Sequence, residues 1–263
     1  MGIEILKQPA LNAAEKKGTL VLVHGACFSA WVWQDNFMPF FSEAGYDVWA
    51  ISLRGHGGSS LEKSLRWTSI NDYTADLLKV LSSIDGPIYL LGHSMGGFTI
   101  QHAMSKLSGN VKAMVLLCAA PPQGLWRLIG RLIRHYPRAF MVSLFRMSWL
   151  PMVKNPRKLK GIMLRPDFPD EALHRLSQQM QEESFLAFLE MVALRLPVIP
   201  ASIPPLMVIG AEMDYLVPVE EVRRTASAYA VDYTIVPGSS HCFMLESGWE
   251  MTAEKIRLFL MAH

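Results

Sequence analysis

Charge is what this sequence has little of. Lys, Arg, Asp and Glu make up 18% of its 263 residues, against about 25% in an average soluble domain. The balance is +2, from 25 basic and 23 acidic side chains. So mild an excess argues against a nucleic-acid partner. The densest basic run, Lys154 to Lys160, reads as a solvated loop. Cysteine is scarce too: Cys27, Cys118 and Cys242 are an odd set without CxxC or zinc spacing. A disulfide framework is not expected, and a reducing, cytoplasmic setting fits. No uninterrupted apolar run reaches the roughly 18 residues of a membrane span, so no stable membrane insertion is expected. Residues 1–17 lack the apolar core of a secretory signal. Internal repeats and low-complexity tracts are missing as well.

Apolar residues are abundant, at 51% with 16 methionines. That excludes intrinsic disorder and allows a large core. Short runs rich in Val, Ile and Leu read as strands: Thr19–His24, Asp47–Leu53, Pro87–Leu91, Val111–Cys118, Pro205–Ile209 and Val231–Val236. Their continuity suits a parallel sheet covered on both faces. Trp31–Ala44, Thr68–Ser83, Met95–Ser108, Pro218–Ala230 and Ser247–Met261 repeat their apolar positions closer to every 3.6 residues. Asp72, Asp76 and Lys79 read as a solvated stripe on one of these helices. The alternation predicts an α/β fold with a mostly parallel central sheet flanked by helices. Residues 119–204 break it with helical patterns rich in Met, Trp and Phe, divided by prolines. They predict a helical lid inserted into a core domain made of residues 1–118 and 205–263.

The strongest chemical signal is Gly92–His93–Ser94–Met95–Gly96–Gly97, a G-x-S-x-G pattern between a strand and a helix. A serine on such a turn needs strained dihedrals, and glycines leave room for the turn to pack. The helix start then offers backbone N–H groups to a developing oxyanion. A serine hydroxyl needs an imidazole base held by a carboxylate. Glu212 and Asp214 follow one strand, and His241 follows the last, in the order Ser, acid, His that belongs to this elbow. His24, His56 and His93 have no metal-ligand spacing, so no metal is expected. Glu246 reads as a helix cap or surface residue, and His56 as a loop residue.

Together with His24–Gly25 and Arg54–Gly55–His56–Gly57–Gly58–Ser59, these elements resemble the α/β-hydrolase superfamily of serine esterases and lipases. Residues 21–33, VLVHGACFSAWVW, are similar to the first motif of plant methylesterases and hydroxynitrile lyases. The resemblance implies Ser94 as nucleophile, His241 as base and Asp214 as acid, with Glu212 the alternative. It implies an oxyanion hole from the N–H groups of Met95 and Ala26, or Cys27 in place of Ala26. His24 is expected to orient that loop. Ser94 excludes the branches that carry Asp at the elbow. Cys242 stands where the lyases carry Lys, which argues against lyase activity.

The expected reaction is hydrolysis of a small apolar carboxylic ester through an acyl-enzyme, with no cofactor. A slow-turnover receptor or interaction protein of the same fold is the alternative, and cofactor-free haloperoxidase or acyltransferase chemistry a third. Cys27, Phe28, His93, Trp126 and Cys242 are expected to contact substrate. Methionines and aromatics of the lid supply an adaptable apolar wall. Its helices are not basic and amphipathic enough to make membrane binding the first reading. The sequence leaves the oligomeric state open.

Overall fold

In the computed structural model, which describes residues 2–12 and 16–263, the apolar runs become β2 (Gly18–Val23), β3 (Tyr46–Ile51), β4 (Ile88–His93), β5 (Val111–Leu117), β6 (Leu206–Ala211) and β7 (Tyr233–Val236). A seventh strand precedes them, β1 (Ile5–Gln8), which pairs antiparallel with β3 at the sheet edge. Four partly exposed residues carry too little apolar signal to be read as a strand. The spatial order is β1-β3-β2-β4-β5-β6-β7. Every pairing other than β1 with β3 is parallel. Each residue of β2 and β4 is buried, as expected of strands covered on both faces. Fully burying one of their leucines contributes about 1.5–3 kcal/mol.

The helices are α1 (Phe37–Glu43), α2 (Ile70–Leu81), α3 (Met95–Ala103), α4 (Trp126–His135), α5 (Pro137–Arg146), α6 (Leu150–Val153), α7 (Pro156–Met163), α8 (Asp170–Gln179), α9 (Phe185–Leu189), α10 (Val219–Tyr229) and α11 (Trp249–Met261). The single helix expected over Trp31–Ala44 is split into a 3-10 turn, Ala30–Trp33, and α1. Pro39 explains the break: it lacks an N–H and its ring would clash with the carbonyl of Asp35 in a continuous helix. In α1 it stands in the first turn, where a proline is tolerated. The prolines of the segment between β5 and β6 act likewise, since Pro137, Pro151 and Pro156 each stand at a helix start.

Two expectations about charged side chains are corrected. Ser69 and Asp72 form a capping box at the start of α2. Asp76 is buried and takes two hydrogen bonds from the Arg54 guanidinium, at 2.8 and 2.7 Å. Asp72 and Asp76 are therefore a brace for the loop after β3 and not a solvated stripe. The run Lys154–Lys160 falls largely within α7 instead of a loop.

Candidate active site

The sheet order brings the chemistry together. The chain leaves β2 toward β3 on one side, while β4 lies on the other. Ligand crevices of open α/β sheets form at such a reversal, beyond the carboxyl ends of the strands. Val23 is level with Gly92, His93 with Leu117 and Leu117 with Ile209. The loops after β2, β4, β5 and β6 therefore emerge side by side, and they carry Ala26, Ser94, Cys118 and Asp214.

Ser94 sits between β4 and α3 with φ 52° and ψ −115°, outside the regions an L-residue ordinarily adopts. The neighbouring glycines make this turn sterically feasible. A Cβ on Gly96 would lie 2.3 Å from the Val23 carbonyl oxygen, and one on Gly92 would lie 2.6 Å from the Gly97 nitrogen. The first amides of α3, Met95 among them, have no acceptor within the helix.

His241 follows β7, and its Nδ1 lies 2.7 Å from Asp214 Oδ2, with both side chains buried. The second oxygen of Asp214 accepts from the N–H groups of Leu216 and Val217, each at 2.8 Å. Glu212 lies elsewhere: its carboxylate accepts from Gly238 N–H at 2.8 Å. The His93 ring packs at a tilt against His241 with centroids 4.7 Å apart, and its Nε2 lies 3.0 Å from the His241 carbonyl oxygen. Burial holds the His93 pKa well below the usual imidazole range, with the His241 ring adding to the effect. His93 is thus a neutral strut between the elbow and the His241 loop.

The loop after β2 is held from all sides. His24 Nε2 accepts the Leu53 N–H at 3.0 Å. Burial, then the nearby His56, depress the His24 pKa to about 3, so it is a neutral positioning group. A Cβ on Gly25 would lie 2.6 Å from His93 Nδ1. Cys27 has φ 67°, and both of its backbone polar groups bind the segment before α9. Its N–H donates to Glu183 at 3.2 Å, and its carbonyl accepts from Gln181 N–H at 2.9 Å. The Cys27 N–H is therefore engaged within the protein.

Glu183 is the site element that the sequence reading missed. Its carboxylate is buried and accepts three hydrogen bonds, from Tyr73 Oη at 2.6 Å, Cys27 N–H at 3.2 Å and Ser184 N–H at 2.7 Å. His56 Nε2 lies 3.1 Å away as its ion-pair partner. Burial opposes ionisation of both Glu183 and His56. Their mutual attraction overrides it, lowering the Glu183 pKa and raising that of His56. His56 sits in the glycine-rich turn as expected, and is in addition half of a buried ion pair. Nothing local in the sequence marks the pairing, because 127 positions separate the partners.

Two further residues support the Asp214–His241 pair. The Cys118 Sγ lies within 4.8 Å of side-chain ligand atoms of both Asp214 and His241. Burial, and then the Asp214 charge, push that thiol up and keep it protonated. Glu246 is buried and accepts the N–H groups of Ser240 and Arg165, at 3.0 and 2.7 Å. It ties the His241 loop to the end of α7; it is not a surface residue, and it caps the short 3-10 helix Phe243–Leu245 at its C-terminal end.

Ser94, Ala26 and Cys27 open on a cavity walled by apolar side chains, including Leu128, Leu132, Trp149, Met152, Met163 and Phe188. Glu183 is its one charged lining residue among those described. Four expected substrate contacts are not on this wall. Phe28 is buried edge-on against His93 and Trp31. His93 is engaged behind Ser94, and Cys242 is fully buried with its N–H on the Met163 carbonyl. Trp126 points outward, 53% exposed.

Comparison with known proteins places this geometry. Salicylic acid-binding protein 2 of Nicotiana tabacum is 30% identical over 158 residues, which cover 59% of this chain and 60% of that protein. Methylesterase 3 of Arabidopsis thaliana is 28% identical over 167 residues, covering 61% of this chain and 57% of the relative. The chain thus spans about three fifths of the length of the curated relatives it matches. An esterase from Exiguobacterium antarcticum superposes with a TM-score of 0.73 at 16% identity, covering 98% of this chain and 95% of its own. Residues 20–255 match the alpha/beta hydrolase family, and the chain belongs to that family.

Proposed function

We propose that this chain is a serine esterase that cleaves small apolar carboxylic esters through an acyl-enzyme. The observation that carries the reading is the buried His241–Asp214 pair at 2.7 Å, together with a Ser94 held at positive φ whose neighbour His93 packs on the His241 ring at 4.7 Å. Ser94 Oγ attacks the ester carbonyl while His241 accepts its proton. Asp214 fixes the imidazole with Nδ1–H toward the carboxylate and stabilises the imidazolium. The N–H groups of Met95 and Ala26 hold the oxyanion. His241 returns the proton to the leaving alcohol, and a water then repeats the attack on the acyl group. The relatives named methylesterase support an ester as substrate.

The helices between β5 and β6 act as a lid in this reading. The cavity beside Ser94 takes six of its walls from Trp149, Met152, Met163, Phe188, Leu128 and Leu132. It offers almost no polar partner, so the group it holds is apolar. Each methylene buried there is expected to raise kcat/KM about fourfold until the cavity is full.

The test pairs p-nitrophenyl esters of graded acyl length with a fluorophosphonate label. Expected are one label per chain, on the Ser94 peptide, and a kcat/KM that climbs with acyl length before it falls. A chain that takes no label and leaves every ester at the buffer rate is a receptor or binding protein, and the esterase reading fails. Normal labelling with an optimum at acetate removes only the apolar cavity from the proposal.

A further inference from the structure

The first half of the lid is the most basic stretch of the molecule. Between Ala119 and Arg165 there are ten Lys and Arg and no Asp or Glu. That leaves 15 basic against 23 acidic residues in the remainder of the chain. A net charge of +2 therefore hides a strongly cationic stretch in the first half of the lid, whose second half is acidic, on a mildly anionic body of 13 basic and 17 acidic residues.

The same segment presents apolar side chains to solvent. On α4, Leu128 and Leu132 face the cavity, while Trp126 and Ile133 point the opposite way, 53% and 52% exposed. On α5, Ala139, Phe140 and Ser143 are buried. Met141, Val142 and Phe145 lie on its other side, and Phe145 is 90% exposed. Single exposed apolar residues are ordinary on a surface. Here five stand on two helices joined through Tyr136 alone, at the spacing of one helix face.

Cations are interleaved with them. Arg134, Arg138 and Arg146 are exposed and have no ion-pair partner among the described residues. Elsewhere arginines pair with neighbouring acids, as Arg175 does with Glu171, Arg223 with Glu220 and Arg257 with Glu254. Unpaired guanidinium groups around exposed Trp, Phe, Met and Ile match the two demands of an interface between water and anionic lipid. The apolar side chains enter the acyl boundary, and the cations meet the headgroup phosphates.

We propose that the exposed face of α4 and α5 docks this chain on an anionic phospholipid surface. The mode is peripheral, since no helix among the described residues is long and apolar enough to cross a membrane. Docking there sets the lid, whose inner faces wall the cavity, directly against a source of apolar molecules.

Co-sedimentation with vesicles tests this. The protein is expected to bind vesicles of equal parts phosphatidylcholine and phosphatidylglycerol, and to stay in solution with phosphatidylcholine alone. Removing two cations in Arg134→Gln/Arg138→Gln lowers the partition constant about 25-fold, at about fivefold per charge near such a surface. The pair Met141→Ser/Phe145→Ser abolishes binding at low and high salt alike. Turnover of soluble p-nitrophenyl butyrate stays at the wild-type value in both variants, which excludes misfolding as the cause. Equal binding to the two vesicle types, or wild-type binding by either variant, overturns the proposal. So does a dimer in sedimentation velocity that Met141→Ser/Phe145→Ser dissociates, for then a second copy covers this face.

Discussion

Replacing Ser94 by alanine is expected to lower kcat for p-nitrophenyl esters on the order of 10⁶-fold, leaving only binding and oxyanion contributions. The fold should survive. The Ser94 side chain makes no capping hydrogen bond to α3, and alanine meets the same backbone strain at φ 52° that serine already meets. His241→Ala should cost about as much, and the double variant little more, because residues that act as a unit are not additive. Asp214→Asn should cost about 10⁴-fold. The reason is visible at Asp214, where His241 Nδ1, two backbone N–H groups and the Cys118 thiol all approach the carboxylate. An amide would turn an NH2 group toward donors and favour the wrong imidazole tautomer. The checks are stopped-flow acylation rates, fluorophosphonate labelling and thermal melts. A Ser94→Ala protein that keeps more than about one part in 10³ of the wild-type rate, with an intact melt, removes Ser94 from the mechanism.

The sequence showed most of this site because its chemistry is locally encoded. The elbow is six consecutive residues whose glycines answer to specific clashes, with the Val23 carbonyl in front of Gly96 and Ala119 beside Gly97. Asp214 and His241 each follow an apolar strand, so the parallel order brings them to one edge. What stayed hidden depends on long-range packing. Glu183 looks like any acidic residue in a helical stretch until the fold sets it against His56, Tyr73 and the Cys27 amide. The aromatic and Met-rich segment between β5 and β6 shows the same limit from the other side. Composition marked Trp126, Met141 and Phe145 together with Trp149, Met152 and Phe188. Only the helix rotations divide them into an outer face and a cavity wall. β1 was missed because four edge residues lack a distinct pattern.

The second large effect belongs to Glu183. Substitution by glutamine is nearly isosteric, yet three hydrogen bonds and the His56 ion pair converge on its two oxygens. An amide can accept at one oxygen only, so its NH2 group would oppose part of that set. The Cys27 N–H is the contact with functional weight, since it holds a loop residue at φ 67° next to Ala26. If that loop relaxes, the Ala26 donor leaves the oxyanion position, a loss of about 10²- to 10³-fold in kcat. KM should change far less, because the apolar wall is untouched. Breaking a buried ion pair from one side also costs about 3–5 kcal/mol of stability.

The pH dependence of that stability separates the pair from a packing effect. His56 has a raised pKa in the folded chain. Its contribution is full below the ordinary imidazole value of about 6.5 and is lost as pH climbs through the folded value. Glu183 has a lowered pKa. Its contribution is present above the ordinary carboxylate value of about 4.3 and is lost as pH falls through the folded value. The wild-type melting temperature should therefore exceed that of Glu183→Gln most between about pH 4.3 and 6.5, with the gap narrowing on either side. His56→Gln should flatten the alkaline limb and leave Cys27 anchored, so its kcat falls less than that of Glu183→Gln. A pH-independent gap would assign Glu183 to packing alone. A Glu183→Gln enzyme with wild-type kcat would show that the oxyanion loop holds its shape without the carboxylate.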